Sequence, residues 1–240
     1  MTTILLFIFA LAHAALVVWG LMSLRRTRLA TMLMILPAIV ILPYENAIIA
    51  SGRWIGEGDL LRALSWPRFA AHLLLAPLWI IAAGSLARQA GLKWAQRRWA
   101  VVAFCVLATA LIVAVNIPNL MQLQLHPACF AETLRYAETV TANQVCAPGQ
   151  ALARGGGPIA AIVAVVVVLI VAGLIWRATK WPWLFLGAAV LFVTSAIPPS
   201  AVGPAPGSLG EVVMGAAFIA TALRFGRDAV SPRHIAPQPA

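Results

Sequence analysis

Four ionisable side chains fall inside or at the edge of long apolar runs: His13, Glu45, His72 and Glu211. Asn46, Asn116 and Asn119 share that setting, and Tyr44 directly precedes Glu45. Ionisable groups are costly at membrane depth, so those that occur there are functional candidates. Hydrocarbon is a poor host for a bare carboxylate. A glutamate placed there can therefore carry a proton, as a general acid must. A proton-coupled transporter would need the same property. The stretch Leu42-Pro43-Tyr44-Glu45-Asn46 is the most unusual. Pro43 removes a backbone donor and crowds the turn before it, and Pro37 loosens the turn preceding that. Broken helices at membrane depth line protein or a water-filled cavity. Glu45 is thus the expected proton donor, with His72 or Glu211 as its catalytic partner. Tyr44, Asn46, Asn116 and Asn119 are expected to bind and orient a substrate.

The elements that must position these groups are membrane-spanning helices. Of the 240 residues, 62% are hydrophobic and 10% are charged. Soluble domains carry about 25% charged residues, and a soluble protein this apolar would expose large aggregating patches. Spanning helices need about 20 mostly apolar residues. Seven runs qualify: 3–22, 29–51, 69–86, 99–121, 158–176, 183–198 and 209–223. The expected fold class is therefore all-α, a seven-helix transmembrane bundle over residues 1–226, with a disordered tail at 227–240. The apolar start of the chain has its basic cluster (Arg25, Arg26, Arg28) after the run. That order suits an uncleaved helix with its N-terminus outside rather than a cleaved signal peptide.

Basic residues set the orientation. Twelve of the 17 Lys and Arg fall on one side of the seven-span pattern: Arg25, Arg26, Arg28, Arg88, Lys93, Arg97, Arg98, Arg177, Lys180, Arg224, Arg227 and Arg233. Arg53, Arg62, Arg68, Arg135 and Arg154 fall on the other. The richer side is cytoplasmic by the positive-inside rule, so the C-terminus is inside. A net charge of +10 distributed in short runs between apolar stretches does not suit nucleic-acid binding, which clusters its cations on one soluble face. A cell membrane is the expected location, the inner membrane if the source is bacterial.

The outer connection 122–156 holds Cys129 and Cys146. An oxidising compartment would let them bridge. Cys105 reads as a packing residue. A short helix is expected from Asp59 to Leu64, ended by Trp66-Pro67. A second is expected over Phe130–Val140 from the spacing of Phe130, Leu134 and Ala137. In the fourth span, Cys105, Thr109, Asn116 and Asn119 suggest an inward polar stripe, interrupted by Ile112. Glu45, His72, Asn116, Asn119 and Glu211 all lie in the outer parts of their helices. Together they predict a polar pocket opening outward.

Several classes are excluded or weakened. The only lysines are Lys93 and Lys180, both at cytoplasmic edges, so a retinal Schiff base in the last span is ruled out. His13, His72, His126 and His234 have no metal-binding spacing, and no Cys-x-x-Cys is present. A haem held by His13 and His72 is disfavoured, because lone intramembrane histidines more often bond a neighbour. No metal or cofactor is expected.

Size, seven spans, the aromatic-Glu pair Tyr44-Glu45 in the second helix and the acid Glu211 in the seventh together resemble the integral-membrane terpene cyclases of meroterpenoid pathways. That resemblance is architectural and implies acid catalysis on an isoprenoid chain by buried carboxyl groups. The broader expectation is a membrane enzyme acting on an isoprenoid or lipid-like substrate, with membrane lipid around it. A small proton-coupled transporter and a non-catalytic subunit that assembles with a membrane partner are the alternatives.

Overall fold

The computed structural model describes residues 1–226. The expected tail at 227–240 lies outside the described residues. Ten α-helices carry the fold: α1 (Thr2–Ser23), α2 (Leu29–Ile55), α3 (Asp59–Leu75), α4 (Leu78–Gln89), α5 (Arg98–Ala110), α6 (Ile117–Met121), α7 (Ile159–Thr179), α8 (Trp183–Ala196), α9 (Pro199–Val202) and α10 (Ala205–Gly226). Two short strands, β1 (His126–Phe130) and β2 (Thr133–Ala137), form an antiparallel hairpin. The chain is therefore predominantly helical rather than all-α. Six helical stretches are long and apolar enough to cross a membrane: 2–26, 29–55, 59–89, 98–121, 159–179 and 205–226. The 14-residue α8 is a shorter apolar helix.

Neighbouring helices form a closed ring in which α1 packs on α2, α2 on α4, α4 on α7, α7 on α8, α8 on α10 and α10 on α1. Helix α5 lies outside the ring against α4. The main core fills the half of the bundle away from the hairpin: Met32, Ile35, Leu86, Ile175, Leu184 and Ile219 are almost fully enclosed there. Many apolar side chains point outward instead, among them Ile4, Leu11, Val102, Val106 and Ile170. An outward apolar surface of this extent matches hydrocarbon as solvent.

Three local expectations are corrected. Helix α3 does not end at Trp66-Pro67 but runs through Pro67 to Leu75. Pro67 and Ala63, whose carbonyl the missing N–H leaves unpaired, both lie on an exposed face. The next carbonyl, of Leu64, accepts a hydrogen bond from the Tyr44 hydroxyl at 2.6 Å. The break comes at Ala76-Pro77, between α3 and α4. Second, Phe130–Val140 is not a helix. The chain reverses at Ala131-Glu132, with Ala131 at φ 48°, and pairs Cys129 with Leu134. The Cys129–Cys146 disulfide, with Cα atoms 5.1 Å apart, fastens this hairpin to the loop that follows. Third, Leu111–Asn116 winds as a π-helix just before Pro118. A wide turn absorbs the ring and the lost donor of the proline and breaks the expected polar stripe. Thr109 ends on an exposed face while Asn116 is buried.

Candidate functional site

Three helices bring charge together at the hairpin end of the bundle. Glu45 comes from the third quarter of α2, two residues beyond Pro43. Arg68 and His72 stand one turn apart on α3, which puts them on one face. Glu211 comes from the second turn of α10. One Glu45 oxygen is 3.6 Å from Arg68 Nη1 and the other is 3.7 Å from His72 Nδ1. Arg68 is 3% exposed, and its other terminal nitrogen donates to the Tyr136 carbonyl at 2.7 Å. A buried cation is tolerated only when it is paired and hydrogen-bonded. Arg68 meets both conditions, with Glu45 on one side and the hairpin on the other.

A cavity of about 420 Å³ adjoins this cluster, lined by parts of α2, α3, α4, α7, α8 and α10. Its walls are apolar apart from His72, Ser195 and Glu211. The expected pocket is therefore a hydrocarbon-like chamber with one polar patch. Glu45 is not on its wall and reaches the cavity through His72. Glu211 is on the wall. Among the described residues no Lys, Arg or His nitrogen lies within 4.0 Å of its carboxyl.

The remaining predicted residues do not converge on the cavity. Tyr44 bonds the α3 backbone and serves as a brace beside Pro67. Asn46 is fully buried on the other side of α2, where its amide donates to the Leu42 carbonyl at 3.0 Å and lies 3.5 Å from His13 Nδ1. His13 in turn bonds the Phe9 carbonyl at 2.9 Å. Asn116 donates to the Leu73 carbonyl and ties the fourth span to α3, one residue after His72. Asn119 faces a separate polar recess at the hairpin end, shared with Gln122, Gln124, His126, Glu138 and Arg154. Burial pushes the Glu138 carboxyl above its ordinary range. Among the described residues no group of three or more metal-ligating side chains is present.

Arg68 is the member that sequence reading missed, because it was assigned to a loop. The signal was its spacing of four from His72, which becomes visible once α3 is carried through Pro67. The hairpin supplies the other unexpected part. The Leu134 carbonyl lies directly against Gly52, where no side chain larger than hydrogen fits. That close approach seats β2 on α2 beside the cluster. Arg135, also on β2, is pulled down to about 10 by burial, with the like charge of Arg68 adding to it.

No family model, curated protein or solved structure matches the chain. The functional reading therefore rests on the geometry of the cavity and the charged cluster behind it.

Proposed function

We propose that this protein is a membrane-embedded enzyme that performs acid–base chemistry on a lipid-like or isoprenoid substrate. The supporting observation is the cavity itself: an apolar chamber among the spanning helices whose polar patch is His72 and Glu211, with Glu45 and Arg68 behind His72. Glu211, the carboxyl on the wall without an ion partner, takes the role of proton donor. His72, held by Glu45, takes the role of proton acceptor. In this scheme a proton from Glu211 adds to an alkene or epoxide of the substrate. His72 removes a proton from a neighbouring carbon once the cation has rearranged. The apolar walls exclude water that would otherwise capture the cation. This division of roles moves the donor from Glu45 to Glu211. It is in keeping with the resemblance to integral-membrane terpene cyclases.

The same reading includes seven membrane crossings with the N-terminus outside. Helix α8 is about 21 Å long at 1.5 Å per residue and follows α7 after the three-residue link Lys180–Pro182. Local thinning of the bilayer accommodates a short span. With α8 counted, ten basic side chains of the described residues stand on one side. The disulfide-bearing hairpin stands on the other, as expected for an oxidising compartment.

A proton-coupled transporter is the second reading, favoured by the succession Arg68–Glu45–His72 with Glu211 nearby. Proton relays across a membrane chain ionisable groups along the path. Among the described residues this succession stays at the hairpin end, and the opposite half holds only neutral polar contacts such as Thr31–Ser85. The enzyme reading is therefore preferred. Glu211→Gln, assayed in membranes against total lipid extracts, is expected to lose product formation by at least about 100-fold while keeping the wild-type melting temperature. Full product formation by this variant would refute the assignment. A pH gradient that the wild-type protein dissipates in liposomes would favour the transporter.

A further inference from the structure

We infer that the gap between the hairpin-side ends of α7 and α8 is a side door through which the hydrocarbon chain of an outer-leaflet lipid enters the cavity. This inference rests on reading the cavity as the substrate site. Helices α7 and α8 are joined by the short link Lys180–Pro182 at the opposite end only, and near the hairpin no link connects them directly. The cavity wall is unevenly enclosed. On α2 it is more closed, with Ala38 7% and Leu42 2% exposed and Ile41 half-buried. At the hairpin-side ends of α7 and α8 it is open: Ile162 is 53% and Phe192 44% exposed, and Pro158, Ser195 and Ala196 are exposed beside them, while Ala164 and Leu191 further along are buried.

The chemistry of the rim selects the entrant. Ile162, Phe192, Pro158 and Ala196 are apolar, and Ser195 offers a single hydroxyl. No charged side chain stands on the cavity wall at α7 or α8, so nothing there would greet a water-borne ionic substrate. Lipid tails are as apolar as leucine, so a chain moving from bilayer to cavity loses no hydrophobic stabilisation. It gains dispersion contacts with the close-packed apolar walls of the cavity. Ala161 and Ala164 on α7 and Ala71 on α3 keep those walls thin enough to admit a chain. The acid–base groups stand on the wall of the same cavity, His72 on α3 and Glu211 on α10, the neighbour of α8. A chain entering sideways therefore runs toward them.

The test uses full-length protein in liposomes doped with a phosphatidylcholine that carries a photoactivatable diazirine at the end of one acyl chain. Adducts are mapped by peptide mass spectrometry. Adducts are expected on the far wall, at Ile41, Leu42 and Leu75, in addition to the outward-facing Ile4 and Leu11 of α1. Ile162→Trp should lower far-wall labelling several-fold and leave the α1 labelling unchanged. Ala196→Trp, which narrows the door from the other side, should do the same, and melting temperatures establish that both variants fold. Adducts confined to outward faces would overturn the side door. So would far-wall labelling that neither tryptophan reduces, or a cavity reached by a water-soluble diazirine and not by the lipid. The outcome is separable from the assignment of Glu211. Far-wall adducts together with an active Glu211→Gln variant would remove the acid and keep the door. An inactive variant without far-wall adducts would keep the acid and remove the door.

Discussion

The two halves of the bundle use polar groups in opposite ways. Toward the basic end, Thr31 and Ser85 share a hydrogen bond of 2.6 Å, and Gln89 donates to both hydroxyls. These groups are neutral and bond one another beside the main core. Toward the hairpin end, Glu45, Arg68, His72 and Glu211 gather beside a cavity, with the Glu45 carboxylate between the Arg68 guanidinium and the His72 ring. Hydrogen bonds between membrane helices contribute modestly, about 0.6 kcal/mol on average. A buried charge deprived of its partner costs about 3–5 kcal/mol. The basic half is therefore built to tolerate change, whereas the hairpin half depends on each partner remaining in place.

The largest effect should follow Arg68→Met. It strips Glu45 of its closer cation and leaves the Tyr136 carbonyl without its donor. A loss of about 3–5 kcal/mol is expected in reversible unfolding from detergent micelles. Adding Glu45→Gln to this variant should recover part of that loss, because the orphaned charge is then gone. If Arg68→Met proves neutral, the cluster is not the charge-dependent region described.

A smaller effect is expected from severing the hairpin's anchor. The Cys129–Cys146 bridge spans 17 residues of sequence, and closing a loop of that size contributes about 3 kcal/mol on the chain-entropy model. Only part of this should reach the bundle, since both cysteines lie in the connection outside the six long apolar helices. The double variant Cys129→Ser with Cys146→Ser should lower the melting temperature modestly and product formation more. Its hairpin carries the Tyr136 carbonyl that positions Arg68. Equal loss of both would show that the hairpin only stabilises the protein.

The smallest effect belongs to the basic half. Thr31→Val removes the hydroxyl that bonds both Gln89 and Ser85, yet leaves those two bonded to each other at 3.1 Å. A cost near 0.6 kcal/mol is expected, with product formation unchanged. A loss approaching that of Arg68→Met would erase the contrast between the halves.

How much of this was legible in the sequence depended on which signal carried it. The long apolar stretches were plain, because about 20 apolar residues in a row leave few alternatives. The disulfide pair followed from its place in one loop. Glu45, His72 and Glu211 were found because an ionisable group at membrane depth stands out, and the depth of each could be read from its helix. Direction was harder. Asn46 follows Glu45 by one residue, about 100° around a helix with 3.6 residues per turn, and so turns to His13 instead of the cavity. Asn116 and Asn119 lie beyond a π-turn that helical spacing cannot anticipate. Arg68 was hidden by Pro67, which reads as a helix end until the exposed face at Ala63 explains why the helix continues. The hairpin was misread because Phe130, Leu134 and Ala137 fit a helical period, although the bridge at Cys129 and the turn at Ala131-Glu132 favour a strand pair.

The most direct measurement is a crystal structure grown from a lipidic mesophase. The account predicts the Glu45 carboxylate between Arg68 and His72, at distances near 3.6 and 3.7 Å. Glu211 should face the same chamber, with chain-like density running in from between α7 and α8. Glu45 or Glu211 turned out of the bundle into the headgroup layer would contradict it.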